Sequence, residues 1–159
     1  MKALVVYDSI YGNTEKIAQA IGNALQSQTD VQILRVGDVK PEHMVGLSLL
    51  VAGAPTHGSM PSPAMKAWLK ALAPNSLREV KVAAFDTRMA VSDIKPGIAA
   101  FFVKLFGYAA QPIANSLTKH GGTLVIPAEG FFVIDTQGPL KDGVIERAAV
   151  WARQIMDRM

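Results

Sequence analysis

The sequence contains no cysteine. That absence alone removes disulfides, thiolate zinc centres, iron–sulfur ligation and dithiol redox chemistry, so any redox role must rest on a bound cofactor. Long apolar runs are lacking too. None approaches the ~18 residues that cross a bilayer, and the chain enters a strand almost at once, without a basic stretch leading into an apolar one. A cytoplasmic protein that does not engage membranes is expected. Charged residues are sparse, at 18%, and the net charge of +3 comes from lysines and arginines scattered along the chain instead of gathered in a stripe or tail. Nucleic-acid binding is therefore not expected. The small surplus suits a solvated surface, an anionic cofactor or an acidic partner protein. The glycines form neither a dinucleotide fingerprint nor a Walker loop, and there is no nucleophile elbow or metal-type histidine cluster.

Half of the 159 residues are hydrophobic, which is enough for one domain over 1–159 with one good core; repeats, linkers and low-complexity segments are missing. Residues 3–7 (ALVVY) form an apolar run without alternation, as a strand covered on both faces does. From Thr14 the period becomes helical, with Ile17, Ala18, Ile21 and Leu25 on one face and Glu15 in the first turn, where the helix dipole favours it. Further strands are expected over 31–36, 47–54 and 80–85, and a last one in two pieces, 123–126 and 131–134. Helices are expected over 64–72, over about 97–120 with a break at Pro112 and a stop at Gly121-Gly122, and at the end of the chain. That last helix should present Ile145, Ala148, Ala149, Ala152, Ile155 and Met156 on one face. Five buried-type strands alternating with helices predict an α/β fold, a parallel sheet of order 2-1-3-4-5 covered on both sides. In that order a crevice opens beyond the carboxyl ends of strands 1 and 3.

The loop after the first strand reads Asp8-Ser9-Ile10-Tyr11-Gly12-Asn13-Thr14. It joins hydroxyl side chains, a glycine for a tight turn and the start of a helix. Amides opening a helix are unpaired and carry partial positive charge, so a phosphate placed there satisfies them, with Ser9 and Thr14 adding donors. The plainer alternative is a capped strand-to-helix turn.

At these residues the sequence resembles the flavodoxin family, whose phosphate loop runs Ser or Thr, any residue, Thr or an aromatic, then Gly-Asn-Thr. The resemblance extends over the whole chain and implies a flavodoxin-like three-layer fold binding flavin mononucleotide (FMN). Ser9, Ile10, Tyr11, Gly12, Asn13 and Thr14 would then hold the phosphate. It further implies that Pro55, Thr56, His57 and Gly58, after the third strand, lie against the isoalloxazine ring, with the Gly58 peptide free to turn a carbonyl toward reduced N5. His57 either shields the ring or relays protons, or is an exposed turn histidine. Asp86, Thr87 and Arg88 follow the fourth strand, where the tyrosine that usually stacks on the ring is missing. Arg88 faces either the N1/C2 edge of the flavin or an ion-pair partner. Phe101, Phe102, Phe106 and Tyr108 form a flavin cover, a contact for a second subunit, or helix core. Neither His43 nor His120 is given a catalytic role.

The resemblance implies an electron carrier that meets redox partner proteins as a monomer or weak homodimer. The alternative is a small FMN-dependent oxidoreductase acting on a quinone or similar acceptor. A receiver-type signalling domain needs an aspartate where Ala54-Pro55 ends the third strand, and is set aside. A scaffold that has lost its flavin would keep the same turn residues.

Overall fold

Residues 3–7 are apolar throughout because helices cover both faces of the strand they form. In the computed structural model, which describes all 159 residues apart from the side chain of Phe106, that strand lies inside the sheet. β1 (Lys2–Tyr7) pairs in parallel with β2 (Asp30–Arg35) on one side and β3 (Leu49–His57) on the other. A short β4 (Met60–Pro61) folds back antiparallel on the tip of β3. β5 (Lys81–Met89) continues the parallel sheet beside β3, followed by β6 (Thr123–Leu124) and β7 (Glu129–Val133), both parallel to β5. The order β2-β1-β3-β5 and then β6 and β7 is the doubly wound arrangement expected. The last strand does come in two pieces. Between the pairings Val82↔Leu124 and Phe85↔Glu129 it takes more residues than β5 does, and the stretch containing Pro127, which has no amide to give the ladder, bulges out.

Alternation within the buried strands divides the core. Ala3, Val5 and Phe85 face α1 (Asn13–Leu25) and α6 (Val144–Met156), whereas Leu4, Val6 and Val82 face α3 (Pro63–Ala71) and α5 (Ala110–Lys119). On the first face Phe85, Phe131 and Trp151 meet edge to face, with centroids 6.0–6.3 Å apart. Phe85 lies across Gly53, and Ile33 against Gly22, so closely that a Cβ at either glycine would overlap its neighbour.

Several expectations are corrected. Pro112 does not break the helical region; it sits in the first turn of α5, where its missing amide has no partner to lose. The break falls at Gly107, which has φ 77° and ends α4 (Ile98–Phe106). The buried stripe of α6 runs Val144, Ala148, Trp151, Ala152 and Ile155, one residue round from the face expected, and leaves Ile145 outside. A short helix α2 (Pro41–Met44), carrying His43, and the strand β4 were not anticipated. The segments holding Pro55 to His57 and Asp86 to Arg88 are not loops: they extend β3 and β5 past the sheet core, with Ala54 paired to Asp86 and Pro55 to Thr87. No helix among the described residues is long and apolar enough to cross a membrane.

Candidate functional site

At the carboxyl ends of β1, β3, β5 and β7 lies a cleft of about 500 Å³, where the strand order reverses and such folds place ligands. Ile10, Tyr11, Asn13, Thr14, Pro55, Thr56, His57, Gly58, Thr87 and Arg88 line it. Ser9, Gly12 and Asp86, also expected at the site, stand behind the lining.

The turn from β1 into α1 is organised by Ser9. Its buried hydroxyl accepts the amides of Gly12 (3.1 Å) and Glu15 (3.4 Å), so Ser9 shapes the loop as a cap. Gly12, at φ 88°, supplies the left-handed residue on which the helix starts. The first intrahelical bond runs from the Lys16 amide to Gly12 O. Among the described residues, the amides of Tyr11, Asn13 and Thr14 find no acceptor. Beside them the hydroxyls of Thr14 and Thr87 lie 2.7 Å apart and buried. The contact uses one of their two protons, so the other remains to be donated. Unpaired amides and a spare hydroxyl proton, all at the positive end of a helix, form a donor set for an anion. The side chain of Asn13 turns elsewhere: its Nδ2 donates to Gln137 O, clamping the loop after β7.

Charge around this turn is balanced from behind. Arg35, at the end of β2, donates to Ser9 O (2.9 Å) and lies 3.5 Å from Asp8 and 3.7 Å from Glu15. Tyr7 donates to Glu15, and burial together with that carboxylate raises the Tyr7 pKa. Arg35 was not singled out from the sequence, since it meets Ser9 only through the pairing of β2 with β1.

Asp86 is fully buried and accepts two bonds from Arg88, at 2.6 and 2.7 Å, and one from the Ala110 amide opening α5 (2.8 Å). Burial raises its pKa, while Arg88 and the Ala110 amide pull the other way. Arg88 is therefore engaged in an ion pair at the cleft wall, and it also lies 3.9 Å above the Tyr108 ring and packs on Gly130. The Tyr108 hydroxyl donates to Met89 O (3.0 Å), and burial raises its pKa. Tyr108, carried in from beyond α4, thus joins Tyr11 in the cleft lining.

His57 is exposed at the rim, in a hairpin closed by Gly58 and Ser59 at φ 54° and 67°. Two central residues with positive φ make a type I′ turn. The hydroxyls of Ser59 and Ser62 are buried there without a partner among the described residues. Ile94, and Ala99 and Val103 of α4, form the roof. Phe101 and Phe102 point outward, 60% and 42% exposed, which corrects their reading as helix core; the side chain of Phe106 lies outside the described residues. Met89, Val133 and Thr136 complete the lining. Nothing in the sequence marked them, because their place follows from β5 extending past Phe85 and from the Asn13 clamp.

Comparison with known proteins gives a consistent result. The sequence model described as Flavodoxin matches residues 5–137. No match is found among curated proteins. Among solved structures, a flavodoxin from the domain Archaea is 25% identical with a TM-score of 0.78, covering 99% of this chain and 97% of that one. Oxidised flavodoxin 1 from Bacillus cereus is 15% identical with a TM-score of 0.78, covering 100% and 99%. A WrbA-like flavodoxin from Agrobacterium tumefaciens is 18% identical with a TM-score of 0.71, covering 99% of both chains.

Proposed function

This chain belongs to the flavodoxin family, whose members bind FMN, and from that premise we propose that it is an electron carrier whose cleft holds FMN between reaction with one redox protein and the next. The observation that carries the reading is the set of unpaired amides of Tyr11, Asn13 and Thr14, opening beside the Thr14–Thr87 hydroxyls into the cleft. These groups fit a phosphate monoester, and they fit it without a free cation, since Arg88, the cation in the cleft lining, is engaged by Asp86.

The flavin supplies one- and two-electron chemistry when bound. The protein's own part is to bind, orient and exclude water. Tyr11, Asn13 and Thr14 would hold the phosphate. The β3–β4 hairpin with His57 and Gly58 would bound one side of the ring system, while Tyr108, kept in place by Arg88 and Met89, would bound another. Ile94, Ala99 and Val103 would turn apolar surface toward the flavin from the roof. That apolar roof also favours a second reading, an oxidoreductase acting on a quinone-like acceptor. Turnover of NAD(P)H with a quinone by the flavin-loaded protein would select it.

Titration of FMN fluorescence tests the binding. Saturable 1:1 quenching by FMN is expected, with riboflavin, which lacks the phosphate, bound at least tenfold more weakly. Gly12→Val puts a β-branched residue at φ 88° and should weaken FMN by about tenfold or more while leaving riboflavin unchanged. Equal affinity for the two flavins in the wild type would remove the phosphate site and the reading built on it.

A further inference from the structure

The cations are scattered along this chain, but the acids are not. Residues 43–78 and 94–128 contain no aspartate or glutamate, and these stretches hold α3, α4, α5 and β4. The acids between them do not offset the charge near the cleft. Asp86 is buried against Arg88, Asp93 pairs with Lys141 at 2.6 Å, and Glu79 precedes β5 at the end of the strands away from the cleft. The other face of the sheet, under α1 and α6, mixes Glu15, Glu146 and Asp157 with its cations.

Between α3 and α5 a groove of about 430 Å³ opens with no acid in its lining; the acids on this face, Asp38 and Glu42, lie outside that lining in the segment after β2 that packs beside α3. Met60, Pro61, Leu69 and Pro112 give it an apolar floor, and the exposed Lys66, Lys70 and Lys119 stand around it. The groove adjoins the cleft, because Met60 pairs with His57 across the β3–β4 hairpin and His57 lines the cleft. We propose that this groove is the docking site for the acidic surface of a protein redox partner, which inserts apolar side chains between the helices and sets carboxylates against the lysines. Charge complementarity selects that occupant: ammonium groups around an apolar floor match carboxylates around an apolar centre, the usual anatomy of a steered protein interface. Nucleic acid would leave the apolar floor without a partner, and no phenylalanine, tyrosine or tryptophan lines the groove for bases to stack on.

The inference rests on the electron-carrier reading, and the experiment separates the two. The FMN-loaded protein is mixed in stopped flow with a reduced acidic [2Fe–2S] ferredoxin as probe; one electron passes from each reduced cluster, which is oxidised, to the flavin, which is reduced. Lys66→Glu with Lys119→Glu reverses charge on both walls of the groove. Arg153→Glu with Arg158→Glu makes the same change in net charge on α6 and beyond it. At low salt the groove variant should lose about tenfold or more in second-order rate while the α6 variant stays within about twofold, and the wild-type rate should fall steeply as salt is added. Lys66→Gln with Lys119→Gln should fall between, which separates the lost cations from a folding defect. Dithionite, which needs no docking, should reduce the flavin equally in all variants. Equal ferredoxin rates in the groove and α6 variants overturn the inference. So does binding to phosphatidylserine vesicles that depends on Lys66 and Lys119 while the ferredoxin rate does not. Failure of dithionite to reduce any bound flavin would instead remove the electron-carrier reading.

Discussion

Asp86 shows how a residue at the edge of the cleft shapes it without lining it. A buried carboxylate is tolerated only when bonded, and here Arg88 and the Ala110 amide together supply three bonds. The group thereby joins β5 to the start of α5 and fixes the guanidinium on which Tyr108 rests. Sequence alone placed Asp86 and Arg88 together at the site, but could not tell a ligand from a support, because the distinction depends on which helix start faces the strand. Asp86→Asn leaves Arg88 with a weaker partner and should cost about 2–3 kcal/mol at pH 7, below the range for wholly buried pairs since Arg88 is 19% exposed. Burial raises the pKa of the folded state above the unfolded value of about 3.9. Between those two values the folded protein binds more protons than the unfolded chain. The stabilising contribution of protonation is therefore full below about pH 3.9 and is lost as pH rises through the folded value. Urea unfolding should show the gap between wild type and Asp86→Asn widening from pH 7.5 to pH 4.5. A gap that narrows would mean that Arg88 outweighs burial and holds the folded pKa low.

At the scale of elements, what could be read from the chain was periodicity, and what could not was the length of each strand beyond the core. The run at 47–54 covers the buried part of β3 but starts two residues before the strand does at Leu49, and β3 continues to His57, because its tip finds a partner in β4 that no local pattern announces. The turn holding Gly12 was legible because a left-handed glycine before a helix is a local device. α4 was harder. Its apolar residues have helical spacing, and spacing cannot distinguish a helix sunk in a core from one whose inner face, Ala99 and Val103, roofs a cleft while Ile98, Phe101 and Leu105 look outward. The two placements differ in energy by enough to measure. Phe101→Ser should change stability by no more than about 0.5 kcal/mol, as an exposed substitution does, whereas Phe131→Ala, within the aromatic cluster, should cost about 3–5 kcal/mol. A loss of several kcal/mol for Phe101→Ser in chemical denaturation would return that ring to a core.

For the whole molecule, the proposed cofactor site is a junction of segments far apart in the chain. The turn at Gly12, the hairpin at Gly58, the tip of β5, α4 and the loop clamped by Asn13 converge on one cleft, so flavin and unfolding should be linked. An unfolded chain brings none of these segments together and has no means of holding FMN. Binding to the folded state alone then adds about 2.7 kcal/mol when free FMN is one hundred times its dissociation constant. For a domain of this size each kcal/mol raises the melting temperature by roughly 2–4 °C, so calorimetry should show an upward shift of about 5–11 °C. Riboflavin at the same concentration should give a much smaller shift, since it reaches the ring-binding parts of the cleft but leaves the amides of Tyr11, Asn13 and Thr14 without their anion. Inorganic phosphate alone tests the other half, because it meets those amides and leaves the hairpin and α4 untouched. The FMN shift should exceed the sum of the two separate shifts, because one molecule spanning both halves loses its translational freedom only once. A shift no larger than that of riboflavin would mean that the turn at Gly12 closes α1 and does nothing more.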